Sequence, residues 1–245
     1  VSGEWAAKRF WETAAVVPVA GGFTVELDGR GIKTPAKTAL VVPTQGMAEA
    51  IAAEWDAQVE KIDPMTMPMT RSANAALDKV SAQHGEVADM LADYGDSDLL
   101  CYRAATPVEL VARQSAVWDP LLAWAAQELG AKLEPRAGVL HVSQAPETLA
   151  KLRALVHEMD DFQLAGFHDL VMLSGSLIIG FAAIKDANVT HKLWEVSRLD
   201  EIWQRDQWGE DDEAEANAAI KAEAFLHAKR FFDLAMASER ECDSP

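Results

Sequence analysis

The twelve residues DYGDSDLLCYRA, Asp93 to Ala104, crowd three acids, a serine, a thiol, two tyrosines and an arginine into one short stretch. Asp96 and Asp98 could divide acid and base duties if their surroundings split their proton affinities. Cys101 could be a nucleophile if its thiolate were stabilised. The same residues also read as scaffold: Gly95 ends a helix, Asp96 or Ser97 caps the next short turn, and Leu99, Leu100 and Tyr102 pack inward. The scaffold suits the pattern better; the alternatives for the whole protein are a small hydrolase or transferase using Asp96 and Asp98, with Cys101 as an optional third group, or a permanent scaffold subunit that stays in its complex. Other chemistries find less support. The histidines at 84, 141, 157, 168, 191 and 227 are scattered singly, without the one-turn spacing that lets two of them converge on a metal. GGFTVELDGRG runs on into strand and turn residues where a phosphate cradle needs a helix to start. LSGSLIIG carries Ser174 where the first glycine of a GxSxG elbow belongs, so Ser176 is a poor nucleophile candidate. No cofactor and no metal are expected.

The elements that would position these residues divide unevenly. Val16 to Thr44 has β-branched runs punctuated by Gly-Gly, Asp-Gly-Arg-Gly and Thr-Pro, which predicts three or four antiparallel strands. Thr44 is a candidate N-cap for a helix that places Met47, Ile51 and Trp55 on one face. KIDPMTMPM then reads as a linker without regular structure, its prolines excluding an element and its methionines packing on an apolar surface. Beyond it the chain is helical by pattern, near Thr70–Gln83, Glu86–Tyr94, Pro107–Leu129 with a break or kink at Pro120, Glu147–Met159, Phe162–Ile184, Val189–Trp208 and Asp211–Met236. Lys132 to Ser143 reads as strand-like. The expected class is α+β, with a small N-terminal antiparallel β subdomain over 1–64 and a larger mainly α-helical domain over 65–245.

Composition narrows the partners. A net charge of −17 over 245 residues disfavours nucleic-acid phosphates and anionic membranes, which repel it. Two cysteines, Cys101 and Cys242 in a polar tail, argue against a disulfide framework and for a reducing compartment. The opening VSGEWAAKRFWE shows no export signal. The apolar run Leu170 to Ile184 is shorter than the ~20 residues of a membrane span and reads as a buried central helix, with Ser176 and Gly180 allowing close approach of a neighbour.

HKLWEVSRLDEIWQRDQWGED, His191 to Asp211, is the more informative segment. At ~100° per residue, Leu193, Val196, Leu199, Ile202 and Trp203 form a stripe facing the core. Trp194, Glu201 and Trp208, seven apart, then make an outward column of indole, carboxylate, indole, flanked by Gln204 and Arg205. Such tryptophans are either covered by another part of the chain or kept for a partner, where tryptophan is enriched among binding hot spots and a desolvated carboxylate demands a matching cation.

KRFW, GGFTVELDGRGIKTPAKTALVVPT, AAEWDAQ, IDPMTMPMTRSANAALD, DSDLLCYRA, WDPLLAW and RLDEIWQRDQWG, in this order, resemble the assembly chaperones of F-type ATP synthase that capture the free α subunit of the soluble catalytic head. The resemblance runs from about Lys8 to about Gly209. It implies a non-enzymatic protein that shields the interface-forming surface of an unassembled α subunit until the β subunit displaces it, a small β part followed by a helical domain, and a cytoplasmic place in bacteria or a matrix place in mitochondria. The family's acidic pattern, two acids, an aromatic, a glutamine and Trp-Gly, corresponds to Asp200, Glu201, Trp203, Gln204, Trp208 and Gly209. Asp200 stands where glutamate is more usual and Trp203 where tyrosine is common; both keep the chemical type. The partner-binding residues expected from the helical projection and this pattern are Glu201, Asp200, Gln204, Trp194, Arg205 and Trp208, with Glu201 foremost. Trp55 is expected to anchor the first helix to the core. The free protein is expected to be monomeric.

Overall fold

The computed structural model describes residues 8–138 and 140–242, with side chains as far as residue 236. The opening VSGEWAA and the side chain of Cys242 lie outside the described residues. The fold is α+β, and the chain forms two compact units: one takes the residues up to Gln83 with Asp161–Ala165 and the chain from Arg230 on, the other His84–Asp160 and Gly166–Lys229.

The first unit contains a three-stranded antiparallel sheet, β1 (Ala14–Val19), β2 (Gly22–Leu27) and β3 (Arg30–Gly31), in that spatial order. Val16 pairs with Val25 and Glu26 with Gly31. Single bridges from Phe23 to Val42 and from Lys33 to Ala39 prolong the sheet edge. Gly22 has φ 146, and a Cβ on it would sit 2.2 Å from the Val42 carbonyl oxygen, so only glycine lets that segment close on the sheet. A sheet this small is marginal alone. It is covered by α1 (Gln45–Asp56), whose Met47, Ala48 and Ile51 are buried with Val25, Leu27, Leu40 and Val42. Thr44 caps α1, accepting from Met47 N at 3.2 Å while donating to the Leu234 carbonyl at 2.7 Å. Trp55 packs edge-on against buried Trp11, with ring centroids 5.2 Å apart.

The supposed linker is structured. Pro64–Thr66 is a 3-10 turn, and α2 (Pro68–Ala75) begins on its proline. Proline at the first helical position lacks only an N–H that would have no partner there. The Glu54 carboxylate fills the cap, accepting from Met69 N at 2.6 Å and Thr70 N at 2.8 Å. A π-helical turn, Ala76–Val80, continues α2.

The second unit holds α3 (His84–Asp93), α4 (Val108–Glu128), α5 (Pro146–His157), most of α6 (Asp161–Ser174), α7 (Leu177–Ile184), α8 (Thr190–Ser197), α9 (Leu199–Trp208) and the first part of α10 (Asp212–Cys242). Two short strands, β4 (Tyr102–Arg103) and β5 (Arg136–Ala137), pair in parallel, the second within the stretch read as strand-like. Trp118, Leu152, Phe167, Phe181 and Phe225 are fully buried in the core of this unit. Pro120 lies inside a continuous α4 instead of breaking it; both Pro120 and Ala116, whose carbonyl loses its partner, are exposed, so water can take that bond.

The expected helix over Phe162–Ile184 is two helices. Gly175, at φ 70, turns the chain out of α6, and Ser176 starts α7 as its N-cap, accepting from Ile179 N at 3.0 Å. From Leu177 to Ala183 every residue of α7 is buried. Gly180 faces α6: an added Cβ would lie 2.8 Å from Val171 Cγ2 and 3.0 Å from Phe167 Cε2. Those two side chains are themselves enclosed, so the gain of ~1 kcal/mol in helix propensity is outweighed by an overpacking cost of about 1–3 kcal/mol. Gly180→Ala is therefore expected to lower the urea midpoint.

Candidate functional site

The cluster from Asp93 to Ala104 proves to be a joint. Asp98 is 0% exposed. Its Oδ1 accepts from Leu100 N at 3.0 Å and Ser176 Oγ at 2.8 Å, and its Oδ2 accepts from Ile178 N at 3.0 Å. One carboxylate thus caps the 3-10 turn Leu99–Cys101 and sits at the N-terminus of α7. Asp98, not Asp96 or Ser97, is the cap; a sequence offers three polar candidates there and cannot show which one is enclosed. Leu100 is buried, whereas Leu99 and Tyr102 are only half-buried. Burial raises the Asp98 pKa to about 6, and burial together with the nearby Asp98 charge pushes the Cys101 thiol up to about 12. A thiol held protonated is no nucleophile. Asp96 accepts from Gln144 N at 2.6 Å and meets exposed His141 at 3.1 Å. Arg103 donates to the Leu100 carbonyl and to Asp119, both at 2.7 Å.

The segment from 191 to 211 departs from the continuous helix expected of it. Arg198 leaves helical geometry at φ −103, ψ 16, and the Ser197 hydroxyl donates to the Trp194 carbonyl at 2.6 Å. The result is two helices, α8 and α9, and the break resets the helical phase between them. The acids Asp200 and Glu201 occupy the first turn of α9, where the helix dipole favours them. That pairing of acids after Ser-Arg-Leu is the signal of a new helix start.

The outward column therefore does not form as expected. Trp194 is only 8% exposed and packs against Phe225, ring centroids 5.8 Å apart. Trp208, at the other end, is 79% exposed. Asp200 is directed to α4, accepting from Gln114 Nε2 at 2.7 Å. Glu201 is half exposed and pairs with Arg198 at 2.7 Å, whose guanidinium lies 5.7 Å from the Trp194 ring centre.

Between α8, α9 and the first half of α10 lies an open groove of about 1050 Å³. Glu201, Gln204, Arg205 and Trp208 line it from α9, and Trp194 contributes from α8. Opposite stand Ala214, Ala218 and Ala222 of α10, four residues apart and so on one face. Arg205 reaches across to Glu215 at 3.4 Å. The start of α10 thus carries an alanine stripe among its acids, which the spacing alone could have shown. Asp211 caps α10, its carboxylate accepting from Glu213 N and Ala214 N at 3.0 Å; Gly209, at φ 95, ends α9.

Residues 8–126 match the family model described as ATP12 chaperone protein. A crystal structure of Atp12 from Paracoccus denitrificans is 48% identical, covering 95% of this chain and 100% of that one at a TM-score of 0.92. This chain belongs to the ATP12 chaperone family. A mutant of the P. denitrificans Atp12p superposes with the same TM-score, 0.92. "Protein atp12, mitochondrial" of Schizosaccharomyces pombe is 27% identical over 219 residues, 84% of this chain and 75% of that protein. ATP12 chaperones are ATP synthase assembly factors, so this chain is a chaperone and not an enzyme. Among the described residues no helix is long and apolar enough to cross a membrane.

Proposed function

We propose that this ATP12 chaperone holds the unassembled α subunit of the ATP synthase catalytic head in the groove between α9 and α10, and keeps it from aggregating until the β subunit takes its place. Trp208 carries the reading: a large indole left 79% exposed at an open groove of its own chain is what a hot spot looks like before its partner arrives. Glu201, Gln204 and Arg205 supply the polar contacts beside it. Trp194 acts from below by supporting Arg198, and Asp200 acts by fastening α9 to Gln114 of α4. The protein works where catalytic heads are built, the bacterial cytoplasm or the mitochondrial matrix, and its charge of −17 keeps free copies apart as monomers.

The test is light scattering of isolated α subunit diluted from denaturant with and without the chaperone, together with co-expression and size-exclusion chromatography. A one-to-one complex and suppressed scattering are expected. Trp208→Ala removes no core contact and is expected to weaken the complex by about 30-fold or more, the ~2 kcal/mol of a hot spot, with circular dichroism unchanged. Equal aggregation with and without the wild-type protein defeats the proposal.

A further inference from the structure

We infer that the part of the client seated in this groove is an α-helix with an apolar stripe and a basic residue that meets Glu201; this rests on the α-subunit reading. The groove is walled by helices. Their main-chain groups are spent within α8, α9 and α10, and among the described residues no strand edge borders the space. An extended segment desolvated there would leave its own N–H and C=O groups without main-chain partners, a loss incurred at every residue. A helix arrives with those bonds made, which is why helical clients use grooves and extended ones use sheet edges.

The alanine stripe fits the same occupant. Ala214, Ala218 and Ala222 run about 12 Å along α10 at 1.5 Å per residue, and small side chains at that interval let a second helix axis come close. Ala214 is exposed and Ala218 and Ala222 half-exposed, so their own chain does not cover them. Two turns of a helix 10 Å wide occupy roughly 850 Å³, which a groove of about 1050 Å³ accommodates.

Charge selects which helix. Five of the six residues from Glu210 to Glu215 are acidic; around the groove Glu195, Glu201, Asp211 and Glu215 are matched by Arg113, Lys192, Arg198 and Arg205, so the acid excess lies at the start of α10. A second copy is repelled by the net charge of −17 that both chains carry. A basic residue of the client is drawn to the acidic start of α10 and to Glu201 across from it. The Arg198 partner of Glu201 is no obstacle, because an exposed ion pair of this kind exchanges at little cost.

The geometry is read by cross-linking from two points of known separation. Ala214→Cys and Ala222→Cys, each in a Cys242→Ser background, are labelled with a benzophenone maleimide, mixed with α subunit, irradiated and mapped by mass spectrometry. Attachment points seven to eight α-subunit residues apart are expected, the number of helical residues that span about 12 Å. Points three to four apart signify an extended segment and overturn the inference, as does cross-linking chiefly to a second copy of the chaperone. Ala218→Trp, which fills the floor without entering the core, provides a label-free check: loss of protection with unchanged circular dichroism is expected, and full protection overturns the groove as the seat. In any of those three failures the unlabelled wild type still suppresses scattering, so α subunit remains the client; wild type that fails to suppress it defeats that reading instead.

Discussion

Asp98→Ala is expected to cost about 3–5 kcal/mol of unfolding free energy, because it strips partners from two buried amides and a hydroxyl at once. Leu100 N, Ile178 N and Ser176 Oγ all converge on this carboxylate, and each buried donor left unmatched costs about 1–3 kcal/mol. Against a total of about 5–15 kcal/mol, that leaves a fragile protein. Asp98→Asn is milder but still destabilising: its amide must turn N–H toward either Ile178 N–H or Leu100 N–H, donor against donor. The pH dependence separates the charge from the bonds. Burial raises the folded pKa to about 6 from an ordinary 3.8. The folded state thus holds the proton more tightly than the unfolded chain, so this contribution to stability is complete below pH 3.8 and is lost as pH rises through about 6. A shift of this size corresponds to about 3 kcal/mol. Urea titrations between about pH 4 and 7 should therefore show the advantage of wild type over Asp98→Asn shrinking as pH rises. A constant advantage across that range would show that the carboxylate has no raised pKa.

The sheet, the N-cap at Thr44 and the helical majority could be read from the sequence because each is written locally: alternating β-branched residues, turn glycines, and a threonine ahead of a 3.6-residue apolar period. The features that escape it are set by side chains distant in sequence. Asp98 belongs to α7 as much as to its own turn, yet 78 residues separate it from Ser176. The breaks at Gly175 and Arg198 fall inside apolar patterns that continue on both sides, so periodicity alone carries a helix straight through them. At KIDPMTMPM the prolines read as breakers, although Pro68 occupies the one helical position that suits it. The site shows the same division. Glu201, Gln204, Arg205 and Trp208 come together because they share one helix. Trp194 lies across the break, and its exposure depends on Phe225, far along α10. The groove needs a second wall, and alanines announce no chemistry.

Glu201→Lys is expected to abolish protection of the α subunit while leaving a folded chaperone, and the two halves of that expectation rest on different magnitudes. For folding, the lost Arg198 pair joins a half-exposed carboxylate to a guanidinium 2.7 Å away, and surface pairs of this kind contribute about 0–1 kcal/mol. A lysine in the first turn of α9 also opposes the helix dipole, by a further ~0.3–1 kcal/mol. For a chain of this length each kcal/mol shifts the melting temperature by about 2–4 °C, so circular dichroism is unchanged and the melting point falls by a few degrees. For binding, Glu201 lines an open groove that, on the proposed reading, the client closes, so that water no longer screens it. Leaving one member of a desolvated charge pair without its partner costs about 2–5 kcal/mol, and placing like charges there costs more, so affinity falls by at least about 30-fold. Glu201→Gln keeps the shape and loses only the charge, and should fall between the two. Because the contact is electrostatic, added salt should weaken the wild-type complex more than that of Glu201→Gln. Full protection by Glu201→Lys would remove this carboxylate from the client surface, and an unfolded Glu201→Lys would make it a structural residue.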